Sequence, residues 1–176
     1  MAGGSGPSVA ARDDLAGIVD LFGWLTRREL SEALSELAFK RRAEVDEAAI
    51  DAAINLAVAE YALVPAPEGA LSGDDEADEP ADGSALAVGP AAFPTLPEGA
   101  EDLPHILDIP DRSVDREALA DAVLERLRRE AVDAIDDGDA NRLETLADVT
   151  YDVEAWAPVG VGPVRTRIVA ELDGEG

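Results

Sequence analysis

The apolar residues of the chain alternate between stretches with a helical repeat and stretches without one. Leu15, Ile18, Val19 and Phe22 recur at three- and four-residue spacing, and Gly23 stands where a left-handed cap is wanted, so a first helix is predicted to open at Asp13. Residues 1–12 carry no such repeat and are expected to be a disordered tail. A second start signal follows at once. Thr26 and Glu29 have capping-box spacing, Leu25 can staple to Leu30, and Leu30, Ala33, Leu34, Leu37 and Ala38 hold one face to about Lys40. A third helix is predicted after Asp46, with Val45 and Ile50 as its staple and Ile54, Ala57, Val58 and Tyr61 continuing the stripe.

Beyond these helices the pattern shortens. Leu63–Val64 and Leu86–Val88 are β-compatible runs that predict a minor hairpin, and between them Pro65 to Ser84 holds seven acids and no base, which predicts a solvated loop. From 89 to 110 come five prolines with interspersed Phe93, Leu96, Leu103, Ile106 and Leu107. That density argues against a regular helix and for an extended strap lying on the folded body. Helical spacing returns at Leu119, Val123, Leu127, Ala131 and Ile135, stops at Gly138, and resumes behind the cap residue Asp139 with Leu143 and Leu146. An antiparallel helical hairpin is predicted there. The run 149–156 is ambiguous, and Gly162 and Pro163 can open a last helix through Val164, Ile168 and Leu172.

The fold class read from this pattern is mainly α. An N-terminal three-helix, winged-helix-like unit (13–64) with a minor β-hairpin is followed by an acidic loop and proline-rich strap (65–112), then by a C-terminal helical hairpin and final segment (113–176).

Charge changes the picture of the solvent more than that of the fold. The chain has 39 Asp and Glu against 14 Lys and Arg, a formal net charge of −25 on 176 residues, and Lys40 is its one lysine. Such self-repulsion loosens a compact state in dilute buffer, but at molar salt the Debye length falls to about 3 Å and the carboxylates serve to hold water and cations. The acids occur in every segment, so the excess reads as halophilic adaptation of a cytoplasmic protein and says little about any partner. There is no Cys, hence no thiolate chemistry, and no apolar run long enough to span a membrane.

Candidate chemistry is sparse. Residues 26–42 reverse the local charge through Arg27, Arg28, Lys40, Arg41 and Arg42, and on a winged-helix-like unit such a patch is the footprint of a DNA-binding regulator. Against that stand Asp46, Glu47 and Asp51 on the would-be recognition helix. The bland explanation is pairing at i, i+4, Arg28 with Glu32 and Glu36 with Lys40. Trp24, Phe93, Leu96 and Trp156 are large apolar residues beside breaks in regular structure, and are the candidates for protein contact. Asp133 to Glu144 partly matches a calcium loop, but Ile135 falls on a ligand position and the run sits where the hairpin must turn. His105 stands alone, and no nucleophile–base set, phosphate loop or metal spacing implies a cofactor.

The runs "DLAGIVDLFGWLTRRELSEALSELAFKR" and "VDEAAIDAAINLAVAEYALV", with "FPTLPEGAEDLPHILDIPDRSVDREAL" and the closing "YDVEAWAPV", resemble a haloarchaeal family of small acidic proteins, a domain of unknown function. The resemblance implies haloarchaeal origin and a cytoplasmic location, and brings no activity or site residue with it. The function expected from the sequence is a non-catalytic protein-interaction or regulatory module with a protein partner. A winged helix-turn-helix DNA-binding regulator is the alternative, and an enzyme without a recognisable motif is the second.

Overall fold

The computed structural model describes residues 9–44, 46–73 and 85–174. The chain is mainly helical with a small antiparallel sheet, and it divides into two compact units, Met1–Asp115 and Arg116–Gly176.

In the first unit α1 (Val9–Phe22) is followed by the two-residue strand β1 (Leu25–Thr26), α2 (Arg27–Lys40) and α3 (Glu47–Ala59). Two strands, β2 (Leu63–Pro65) and β4 (Ala85–Val88), then pair antiparallel, and β1 adds to the other edge of β4 to give the order β1-β4-β2. The expected hairpin is thus part of a three-stranded sheet. Leu25, read from the sequence as a staple, also pairs with Leu86. Helix α1 begins four residues before Asp13, because Ala10 and Ala11 have the highest helix propensity of any residue type, so the expected tail is corrected at 9–12; residues 1–8 lie outside the described ones. Thr26 and Glu29 close the capping box from both sides, and Asp46 caps α3 by accepting from the Ala49 N–H. Tyr61 is corrected too: the helix ends at Ala59, and Tyr61 is fully buried in a left-handed turn with φ 64°. Val45 lies outside the described residues.

The described part of the acidic segment is ordered. A 3-10 turn at Glu68–Ala70 leads into β3 (Leu71–Gly73), which pairs antiparallel with β5 (Arg112–Val114), while residues 74–84 lie outside the described ones. Residues 93–96 lie across α1. The Phe93 N–H donates to the Asp13 carboxylate at 3.0 Å, the Thr95 N–H to the Asp13 carbonyl at 3.1 Å, and the Thr95 hydroxyl to Asp14 at 2.8 Å. Against expectation, the proline-rich stretch also forms one helical turn, α4 (Leu103–Leu107). Pro104 is tolerated there because the first-turn N–H groups need no intrahelical acceptor. Leu103 enters the core with Ile18, Val19, Leu30, Leu37 and Ile54.

The second unit consists of α5 (Arg116–Asp137), α6 (Ala140–Trp156) and α7 (Gly162–Gly174). Gly138, at φ 65°, makes the turn and Asp139 caps α6 by accepting from the Arg142 N–H. The ambiguous run 149–156 is helical because Val149 and Val153 extend the buried stripe of Leu146. With α7 packed on both partners, the expected hairpin is two sides of a three-helix unit. Glu130 ties α5 to α6 by accepting from Arg126 at 2.9 Å and Arg142 at 2.8 Å, which places Arg126 in an ion-pair network.

Candidate functional site

The five basic residues singled out in the sequence divide between the two ends of α2, about 20 Å apart at 1.5 Å per residue. Arg27 reaches across to α3, donating to the Asn55 amide oxygen at 2.5 Å and the Asp51 carbonyl at 3.3 Å. Arg28 pairs with Glu32 at 3.4 Å. At the other end Lys40 donates to the Gly99 carbonyl and meets Asp102, not Glu36 as its spacing suggested, and Arg41 donates to the Glu98 carbonyl. Arg42 is exposed in a left-handed turn. These groups lie at the two ends of α2, and at the far end Lys40 and Arg41 hold the strap.

Between the two basic ends lies an open trough of about 800 Å³ on the outer side of α2. Its floor is Arg27, Arg28, Ser31, Glu32, Ser35 and Glu36 of α2; one wall is Glu47, Ile50 and Asp51 of α3, the other Leu107 of α4. Residues 28, 32, 35 and 39 fall on one helical stripe, so the 76% exposed Phe39 continues the floor past the trough. Ile106, beside Leu107, is 42% exposed. Among the described residues the carboxylates of Glu36, Glu47 and Asp51 have no hydrogen-bond or ion-pair partner. A second, more apolar hollow of about 340 Å³ opens between α1, α2 and α3, lined by Ile18, Leu34, Ala38 and Pro97.

The N-terminal end of the trough is fixed by a latch. The Arg112 guanidinium, with its side chain only 5% exposed, donates to both Glu29 carboxylate oxygens at 2.7 and 2.9 Å and stacks 4.0 Å from the centre of the Trp24 ring. Trp24 in turn donates to the Ser72 carbonyl, so the β3–β5 pair is clasped to the start of α2. Burial alone would raise the Glu29 pKa. The Arg112 hydrogen bonds, the Thr26 N–H and the Arg112 charge outweigh it and hold the carboxyl below its usual 4.5. A depressed folded pKa means that this stabilisation is complete above about pH 4.5 and disappears as pH falls through the lower, folded value. We therefore expect the urea midpoints of the native chain and of Glu29→Gln to differ at neutral pH and to converge on acidification below pH 4.5.

The protein-contact candidates have different fates. Trp24 is buried in the latch, and Trp156 is partly buried in the second unit, 4.8 Å from the Arg116 guanidinium. Phe93 and Leu96 are 75% and 49% exposed on the strap. Phe39, Ser31 and Ser35 were missed in the sequence. Phe39 lies outside the Leu30, Ala33, Leu34, Leu37, Ala38 stripe, and a helical projection of α2 would have exposed it.

His105 is exposed on α4, and Asp13, the one buried carboxylate among the described residues, accepts from the Phe93 N–H through Oδ1. Among the described residues no three His, Asp or Glu side chains are placed to hold a metal ion, and no helix is long and apolar enough to cross a membrane. The chain matches no curated protein and no solved structure. The profile of a family of unknown function, DUF7109, spans residues 13–173, both units included, and the chain therefore belongs to that family.

Proposed function

We propose that the protein is a non-catalytic interaction or regulatory module of a salt-adapted cytoplasm, of haloarchaeal origin, and that it engages a protein partner through the trough on α2. The observation that carries this reading is the trough itself: an open concavity with Ser31 and Ser35 on its floor, three carboxylates without a partner among the described residues, and the exposed Phe39 beyond it on the same helical stripe. The order α1-β1-α2-α3-β2-β3-β4, with β1 and β2 flanking β4 in one sheet, supports a winged-helix-like description of the scaffold. Such scaffolds serve DNA and protein partners alike.

Two features speak against the DNA-binding alternative. Exposed Asp46, Glu47 and Asp51 lie at the cap and start of α3, where a major-groove reader would present donors, and they repel phosphate. The basic residues that would neutralise phosphates are divided between α2's ends and mostly engaged in the protein itself.

Affinity capture from a lysate held at multimolar KCl, with and without DNase, tests the reading. The native chain should recover a defined protein whether or not DNA is digested, and Ser35→Arg, which fills the trough floor, should recover it several-fold less while melting at an unchanged temperature. Recovery that needs intact DNA, or equal recovery by both proteins, would refute it.

A further inference from the structure

The trough has a direction. Its α2 residues run from Arg28 to Glu36, a span of about 12 Å or two helical turns. The contact of Arg27 with Asp51 and Asn55 sets mid-α3 beside the first turn of α2, so Glu47, at the start of α3, lies toward the Glu36 end. One end therefore carries Arg27 and the 90% exposed Arg28, whose charges are matched by Glu32 and Asp51, and the other carries Glu36 and Glu47 with no basic residue of the lining beside them. Ile50 and Leu107 supply an apolar wall on either side, and Ser31 and Ser35 at i, i+4 keep the floor low enough for close approach of another helix. Both walls are helical, so the trough offers no open strand edge on which an extended peptide could add.

Resting on the interaction reading above, we propose that the occupant is an amphipathic helix of the partner, lying parallel to α2. Its apolar stripe sits between Ile50 and Leu107, its acidic first turn meets Arg28, and its basic last turn meets Glu36 and Glu47. This is also the charge order that suits a helix's own dipole, so the trough selects an ordinary helix in one orientation. The general acidity of the protein attracts any basic segment. Only the axial order of charge in the trough distinguishes two ligands of equal composition.

Two fluorescent, lactam-bridged helical peptides of identical composition provide the test. Both carry one Leu stripe; one has Glu in its first turn and Lys in its last, and the other has the two exchanged. Measured by anisotropy at the lowest KCl concentration that keeps the full chain folded, the first should bind about fivefold tighter, the effect of two or three exposed ion pairs. The doubly charge-reversed chain, Arg28→Glu with Glu47→Lys, should prefer the second peptide. Equal affinities, no binding of either peptide, or a preference that survives the charge reversal would overturn the proposal. If that happens while partner capture still depends on Ser35, the interaction reading stands and only the polarity of the helix falls.

Discussion

Replacing Glu29 with Ala is expected to destabilise the first unit by about 3 kcal/mol, the low end of the range for removing one partner from a buried ion pair. The value sits at the low end because the Glu29 side chain keeps 21% exposure while Arg112 keeps 5%. The substitution has two costs. It takes both Glu29 carboxylate oxygens away from the guanidinium that faces Trp24, and it removes the side chain that satisfies the Thr26 N–H in the capping box. Urea unfolding at fixed multimolar KCl measures the loss, and adding Arg112→Met to Glu29→Ala should recover part of it, because an apolar residue carries no charge that has lost its Glu29 partner. An Arg112→Met effect that simply adds to that of Glu29→Ala would show that the two side chains do not act as a pair.

Gly17→Ala is expected to cost about 1–3 kcal/mol, although in an ordinary helix the same exchange stabilises by close to 1 kcal/mol. The sign reverses because a Cβ at Gly17 would meet the Thr95 carbonyl oxygen at 1.9 Å and its carbon at 2.4 Å. Both are backbone atoms pinned from below, since the Thr95 N–H is held by the Asp13 carbonyl and its hydroxyl by Asp14. Relief requires the strap to lift off α1. The variant should therefore show faster amide exchange at 93–97 as well as a lower melting temperature, whereas a stabilised protein would mean that the strap does not rest on this helix.

Much of this architecture was legible in the residues. Thr26, Glu29 and the Leu30 to Ala38 stripe define α2 because capping and packing act within a few residues of each other. The strap was legible as apolar residues spaced by prolines, but of those residues Leu103 enters the core while Phe93, Leu96 and Ile106 stay largely exposed. What escaped depends on distant partners. Strands β1, β3 and β5 are two or three residues long and exist because Leu86, Val114 and Leu71 pair with them, which no local pattern encodes. The latch joins residues more than eighty positions apart. Arg112, inside "PDRSVD", carries no sign that it will be buried on a tryptophan.

The candidate site was less legible than the fold, and for a physical reason. The net-positive run from Thr26 to Arg42 drew attention as a single patch, but a helix separates its ends, and the strap claims Lys40 and Arg41. Arg28 stood out only for its charge, and Ser31, Ser35 and Phe39 lie outside the apolar stripe of α2. They become a floor only once α3 and α4 rise beside them.

Amide hydrogen exchange on the native chain in multimolar KCl, alone and with the captured partner, tests the central claim most directly. Slowed exchange should concentrate at 27–36, 47–51 and 103–107, the floor and walls of the trough. Protection confined to the Arg41–Arg42 turn or to the β2–β4 pair, with the trough unchanged, would contradict the account.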